Sequence, residues 1–226
     1  MIKNIVFLPG WSFSAGIWER QKDYFSRLGF NIILCQLEDL GECLKAIELE
    51  ETIFIAWSLG WFRLLDILKD KKSLPQAIVG ISAAIKFKNS LIRLIIQSFK
   101  KNHKKLLTDF DSWLFSEREN KSANFNKWNE LILRYKIKAR DSLLEDLLFL
   151  ENIDLTPYLH RFNTPILFIA GKEDIICPLD ESVKLSNALS KSKIEIMDTG
   201  HIPFLTKSGE FNKIVERYIR KVSDDS

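Results

Sequence analysis

Six short apolar runs recur along the chain: Asn4 to Leu8, Asn31 to Cys35, Thr52 to Trp57, Gln76 to Ile81, Ile166 to Ala170 and Lys193 to Met197. Most are near-continuous in Ile, Leu, Val and Phe, as strands buried on both faces of a parallel sheet should be. Stretches with apolar residues at helical spacing separate them, for instance Ile17 to Leu28 and Phe62 to Leu68. The pattern therefore predicts the β-α alternation of a three-layer α/β sandwich. Between Ala84 and Leu155 the alternation stops. The period there is helical throughout, with Leu91, Leu94, Ile95 and Phe99 expected on one face and Leu143, Leu144, Leu147 and Leu148 on another. We read residues 1–83 and 156–226 as the α/β core and residues 84–155 as a helical lid inserted after the fourth strand. Asn163-Thr164-Pro165 would lead the chain back into the sheet.

Composition narrows the class without changing that outline. At 226 residues, 46% hydrophobic and 28% charged, the chain suits one globular domain with an insertion. No apolar run approaches the roughly 18 residues of a membrane span, and the N-terminus enters its first strand without a signal-peptide layout, so the expected location is cytoplasmic. Cys35, Cys43 and Cys177 have no metal-ligand spacing and fit reduced thiols in that compartment. The net charge of +3 is unevenly placed: residues 84–150 carry 14 Lys and Arg against 8 Asp and Glu, and the rest carries 19 against 22. A basic insertion on a mildly acidic body points to an anionic partner. The plainer alternative is a solvated helical face.

Ala56-Trp57-Ser58-Leu59-Gly60 follows the third apolar run and precedes a helical stretch, so Ser58 falls where a strand turns sharply into a helix. That is the setting of a nucleophile elbow, which holds a serine hydroxyl out of the backbone near a base and near N–H donors for an oxyanion. A helix-capping serine is the competing reading. Gly171-Lys172-Glu173-Asp174 and Gly200-His201 each follow a later apolar run, completing the chain order Ser, Asp, His of α/β-hydrolases. His201 is the candidate base. His103 lies in a lysine-rich stretch of the insertion and His160 on a polar helix, neither at a strand's carboxyl end. Asp174 is preferred over the adjacent Glu173 as the orienting acid, being the fourth residue of Gly-x-x-Asp. A turn or helix cap is the competing reading of that aspartate. The two oxyanion donors would be the N–H groups of Leu59, after the nucleophile, and Trp11, in Pro9-Gly10-Trp11 after the first strand.

These segments, with Ile175-Ile176-Cys177-Pro178 and Ile202-Pro203-Phe204, resemble the pimeloyl-[acyl-carrier protein] methyl ester esterases of biotin synthesis, most specifically at the Trp-Ser-Leu-Gly elbow and the His-x-Pro-Phe loop. The resemblance covers most of the chain. It implies an α/β-hydrolase with a four-helix lid, and substrate contacts at Trp11, Ser58, Leu59, His201 and the lid segment Trp113-Leu114-Phe115-Ser116-Glu117. It departs from common hydrolase usage at Pro9, where histidine is frequent, at Ala56, where glycine is, and at Trp61, which bears on how closely the elbow helix packs on the sheet. The first strand is the oxyanion strand, which predicts a sheet lacking the two antiparallel strands that open many hydrolases.

The expected function is a serine carboxylesterase acting on the methyl ester of pimeloyl-ACP, with no metal or organic cofactor. Its partner would be the acidic acyl carrier protein, docked on Lys100, Lys101, Lys104, Lys105, Lys121, Lys127 and Arg134. A carboxylesterase, thioesterase or C–C hydrolase without a protein partner keeps the same chemistry. A non-catalytic binding protein on a hydrolase fold is the reading from another class.

Overall fold

The computed structural model describes residues 2–137 and 139–224. Met1, Asp225 and Ser226, at the ends of the expected core, and Lys138, one of the basic residues counted in the insertion, lie outside the described residues. Six strands form one sheet: β1 (Asn4–Leu8), β2 (Asn31–Leu34), β3 (Thr52–Trp57), β4 (Ala77–Ile81), β5 (Ile166–Gly171) and β6 (Ser192–Met197). Their spatial order is β2-β1-β3-β4-β5-β6, and every strand pairing among the described residues is parallel. The four central strands are almost wholly buried, matching their unbroken apolar runs. The edge strands are not, and β6 leaves Ile196 about half exposed.

The helices of the core are α1 (Glu19–Arg27), α2 (Leu40–Cys43) and α3 (Leu59–Leu68), which precede the insertion. The insertion contributes α4 (Asn89–Trp113), α5 (Glu117–Asn120), α6 (Phe125–Tyr135) and α7 (Arg140–Asn152). Then come α8 (Leu179–Asn187), α9 (Pro203–Thr206) and α10 (Ser208–Asp224). The chain passes from β1 outward to β2, then returns to the far side of β1 as β3, so the strand order reverses between β1 and β3. In open parallel sheets a crevice forms at the carboxyl ends of the strands where the order reverses. Trp11 follows β1 and Ser58 follows β3, which places both at that point.

α4 packs on α7 over the body of the protein. It breaks at Asn102, whose φ of −157° and ψ of 84° leave the helix, and the Asn102 side chain caps the second half by accepting from the Lys105 N–H at 3.0 Å. The buried face of α4 overlaps the expected one only at Phe99. Ile92, Ile96 and Phe99 are buried, whereas Leu91 and Leu94 are 43% and 61% exposed. Two apolar stripes lie side by side on this helix, and periodicity alone does not say which one meets α7. In α7 likewise Leu143, Leu147 and Leu150 are buried while Leu148 is exposed. No helix among the described residues is long and apolar enough to cross a membrane.

Candidate active site

Ser58 is the pivot between β3 and α3. Its φ of 51° and ψ of −113° are outside the ordinary regions for an L-residue, a conformation that persists only where the surroundings enforce it. The enforcement is visible: the Ser58 N–H donates to Ile81 O at 2.9 Å and its carbonyl accepts from the Trp61 N–H at 3.0 Å. Trp61 is fully buried, edge-on to Phe168 with its Nε1 donating to Ala84 O at 3.1 Å, so the elbow helix sits tightly on the sheet despite this bulky residue.

Asp174 and His201 meet at the ends of β5 and β6. Asp174 Oδ2 lies 2.7 Å from His201 Nδ1, and both side chains are buried. Asp174 Oδ1 accepts the N–H groups of Ile176 and Cys177, each at 2.9 Å, so the carboxylate is fixed by its own turn. An ionised carboxylate only accepts, so the proton of neutral His201 sits on Nδ1 and Nε2 is left as an acceptor. Nε2 is buried and makes no hydrogen bond to a described residue. The neighbouring carboxylate, Glu173, points elsewhere and pairs with Arg118.

The His201 backbone is held from several sides. Its N–H donates to Leu114 O at 2.8 Å. Its carbonyl accepts from Trp57 Nε1 at 3.0 Å and from Ser82 Oγ at 3.2 Å, tying the histidine loop to the residue before Ser58 and to the end of β4. The Gly200 N–H donates to the buried carboxylate of Glu119 at 2.8 Å. None of Trp57, Ser82, Leu114 or Glu119 was singled out from the sequence as a support of the histidine. Only Glu119 carried a signal, the Ser-x-x-Glu spacing from Ser116 that marks a capping box.

An apolar cavity of about 240 Å³ opens beside Ser58, which is the only non-hydrophobic residue among those lining it. The insertion supplies most of its wall, including Ile92, Ile95 and Phe110 from α4 and Leu147 and Leu150 from α7, and Ile175 and Ile176 come from the Asp174 loop. Trp11 lines the cavity too, with its ring edge-on to Phe110 at 4.8 Å and its Nε1 donating to Leu143 O at 3.0 Å. The backbone N–H groups of Trp11 and Leu59 make no hydrogen bond to another described residue. The loop after Trp11 is tied to the insertion: Ser14 N–H donates to Tyr135 O and Ile137 N–H to Ser12 O, both at 2.8 Å. Behind it Lys136 pairs with Asp111. Burial pushes the Lys136 ammonium down and the Asp111 carboxyl up, each opposed by its partner's charge.

The segment Trp113 to Glu117, expected by resemblance to contact substrate, divides. Trp113 lines the cavity, whereas Leu114, Phe115 and Ser116 are buried outside its lining and Glu117 is exposed, paired with Lys121. The basic residues Lys100, Lys101, Lys104 and Lys105 cluster around the Asn102 break, while Lys127 and Arg134 lie on α6 and all are exposed. Lys105 pairs with Asp109 on its own helix. Among the described residues no group of three or more His, Cys, Asp or Glu side chains is placed to hold a metal ion.

A parallel sheet with a strained serine at its reversal point and a buried His-Asp pair at later strand ends defines the α/β-hydrolase fold. Solved structures agree: an esterase from Exiguobacterium antarcticum has a TM-score of 0.82 at 17% identity, covering 96% of this chain and 92% of that one. The bromoperoxidase from Bacillus anthracis also has a TM-score of 0.82 at 17% identity, covering 97% and 92%. By sequence, the chain is similar over nearly its whole length to pimeloyl-[acyl-carrier protein] methyl ester esterases. That of Wigglesworthia glossinidia brevipalpis is 24% identical over 96% of this chain and 94% of its own, and that of Vibrio atlanticus is 21% identical over 92% and 91%. No protein-family model matches the chain.

Proposed function

We propose that the protein is a serine carboxylesterase that hydrolyses the methyl ester of pimeloyl-ACP, releasing methanol and freeing the distal carboxylate of the acyl chain. The observation that carries this reading is the cavity. It offers one serine hydroxyl in an otherwise apolar wall, which suits an uncharged acyl chain ending in a neutral ester. His201 Nε2, with Nδ1 fixed on Asp174, takes the Ser58 proton as Oγ attacks the ester carbonyl. The N–H groups of Trp11 and Leu59 receive the negative charge on the carbonyl oxygen. Methanol leaves with the proton from His201, and water resolves the acyl-enzyme by the same route. His201 Nε2 is left without a partner among the described residues, ready for the Ser58 hydroxyl, and such catalytic hydrogen bonds commonly form only in the loaded enzyme. The helices of residues 84–155 act as the lid, and their exposed lysines attract the acidic carrier.

The test is mass spectrometry of pimeloyl-ACP methyl ester before and after incubation, beside the same acyl chain as a free methyl ester. Conversion of the carrier-bound ester at much higher kcat/KM supports the reading. Equal conversion of both removes the carrier protein from it. One feature favours that second outcome, a small-ester carboxylesterase: Lys105 and Lys121 are already paired with lid carboxylates, which weakens the basic field.

A further inference from the structure

We infer that Glu119, a lid residue, is a positioning residue for His201, an inference that rests on the proposed role of His201 as general base. Glu119 belongs to a single-turn helix, α5, and is only 6% exposed. In an ordinary capping box the glutamate at the third helical position serves the helix alone, accepting the N–H of the capping residue. Here Oε2 does that, receiving the Ser116 N–H at 2.8 Å, and receives the Gly200 N–H at the same distance. One carboxylate oxygen thus joins the start of the lid helix to the residue before His201.

The surrounding contacts make this a rigid junction. The His201 N–H donates to Leu114 O at 2.8 Å. A Cβ on Gly200 would lie 2.6 Å from the Ser116 nitrogen and 2.7 Å from Leu114 O, so lid backbone and base loop touch without room for any side chain. Arg118 adds an outer strap: Nη1 reaches Asp198 Oδ2 at 2.6 Å and Nη2 reaches Asp198 O at 2.9 Å and Glu173 Oε1 at 3.3 Å. That strap is exposed and screened by solvent. The Glu119 bond is buried, and a hydrogen bond to a buried charged group is the stronger kind. Its loss leaves the Gly200 N–H unpaired and loosens the loop that sets the height and tilt of the imidazole, and a displacement near 1 Å at a catalytic group costs on the order of a hundredfold in rate.

The experiment measures kcat and KM for p-nitrophenyl butyrate in Glu119→Ala, Glu119→Gln and Glu119→Asp, with melting temperatures for each and Ser58→Ala as reference. Glutamine keeps an oxygen for both N–H groups but buries an amide nitrogen where Oε1 has no partner. It should therefore melt lower than wild type while keeping kcat within about threefold. Alanine should lower kcat roughly ten- to a hundredfold with KM unchanged. A purely structural role would make kcat follow the melting temperature in all variants. If alanine fails to fold, aspartate decides, being one methylene too short to reach both N–H groups: kcat at least about fivefold below glutamine supports the inference. Alanine within threefold of wild type, or glutamine and aspartate equally impaired, overturns it. Near-normal activity in Ser58→Ala would instead defeat the serine mechanism itself, whatever Glu119 does.

Discussion

Replacing Gly60 by alanine should damage the site through a contact far smaller than a side chain. Gly60 is the second residue of α3, and a Cβ built there lies 2.6 Å from Pro9 O, 3.0 Å from Leu8 Cβ and 3.2 Å from Leu8 O. To restore an ordinary contact of about 3.4 Å, the Pro9 carbonyl would have to retreat by roughly 0.8 Å. The helix cannot give way instead, because Ser58 N–H is bonded to Ile81 O and Trp61 is locked against Ala84 and Phe168. The shift is therefore passed to Gly10-Trp11, where the proposed oxyanion donor sits. A donor must lie about 2.7–3.1 Å from the oxyanion, and losing one costs on the order of a hundred- to a thousandfold in kcat. Overpacking adds roughly 1–3 kcal/mol of destabilisation, or a fall of about 2–12 °C in Tm at this chain length. In an exposed helix interior the same change would stabilise by about 1 kcal/mol, so even the sign is diagnostic. Hydrolysis of p-nitrophenyl butyrate and a thermal melt read both effects. A Gly60→Ala variant with wild-type kcat and an unchanged or higher Tm would show that the helix and the oxyanion loop are not in contact as described.

Ser58→Ala and His201→Ala should each lower kcat by roughly four to six orders of magnitude with the fold intact, and Asp174→Ala by somewhat less; Ser58→Ala should also abolish labelling by a fluorophosphonate probe. Trp11→Pro removes the backbone donor and should cost about a hundred- to a thousandfold in kcat. Trp11→Ala keeps the N–H but loses the indole bond to Leu143 O, and equal losses in the two variants would assign the effect to the indole. Raising salt should reduce kcat/KM for a carrier-bound ester, as exposed charges are screened beyond roughly 10 Å at 0.1 M, and should leave a small neutral ester unaffected. Reversing the Lys100 to Lys105 cluster to glutamate should mimic high salt for the carrier-bound ester alone. At acid pH, Asp154 provides a separate marker where the helices between β4 and β5 return to the sheet. Burial pushes its carboxyl up, but hydrogen bonds from Lys86 and Thr156 outweigh that and hold it at about 2, below the usual 3.8. A depressed carboxyl stabilises the fold above its unfolded pKa, so the contribution should be full above pH 3.8 and disappear as pH falls towards 2. Urea unfolding of Asp154→Asn against wild type should show a stability difference at pH 5 that closes over that window.

The strands were legible because each is a short, unbroken apolar run bounded by polar turns, and the positions of Ser58, Asp174 and His201 followed from where those runs end. The choice of Asp174 over Glu173 was also readable in Gly-x-x-Asp, and its physical basis is the turn in which the aspartate caps Ile176 and Cys177. The stripe of α4 that faces inward was not readable, since Leu91-Ile92 and Leu94-Ile95-Ile96 offer apolar residues in adjacent positions. Nor was the division of the Trp113 to Glu117 segment, because Leu114 acts through its backbone carbonyl, which no side-chain pattern reports. Ser82 was equally silent: its positive φ and its bond to His201 O arise from tertiary contact alone.

The absence of charge in the cavity wall has a consequence for the end of the reaction. An ester enters as a neutral molecule, but its hydrolysis leaves an acid that is fully ionised at neutral pH. A carboxylate moved out of water costs several kcal/mol unless it is fully paired, a penalty softened here by the proposed N–H donors of Trp11 and Leu59 and by the exposure of Leu91 and Ile175 in the cavity wall. In the proposed reaction the chemistry would thus change the guest into one that the apolar walls hold less well, and turnover itself would favour departure. Such a catalyst would show weak inhibition by its acid product and strong inhibition by an uncleavable neutral analogue of equal length.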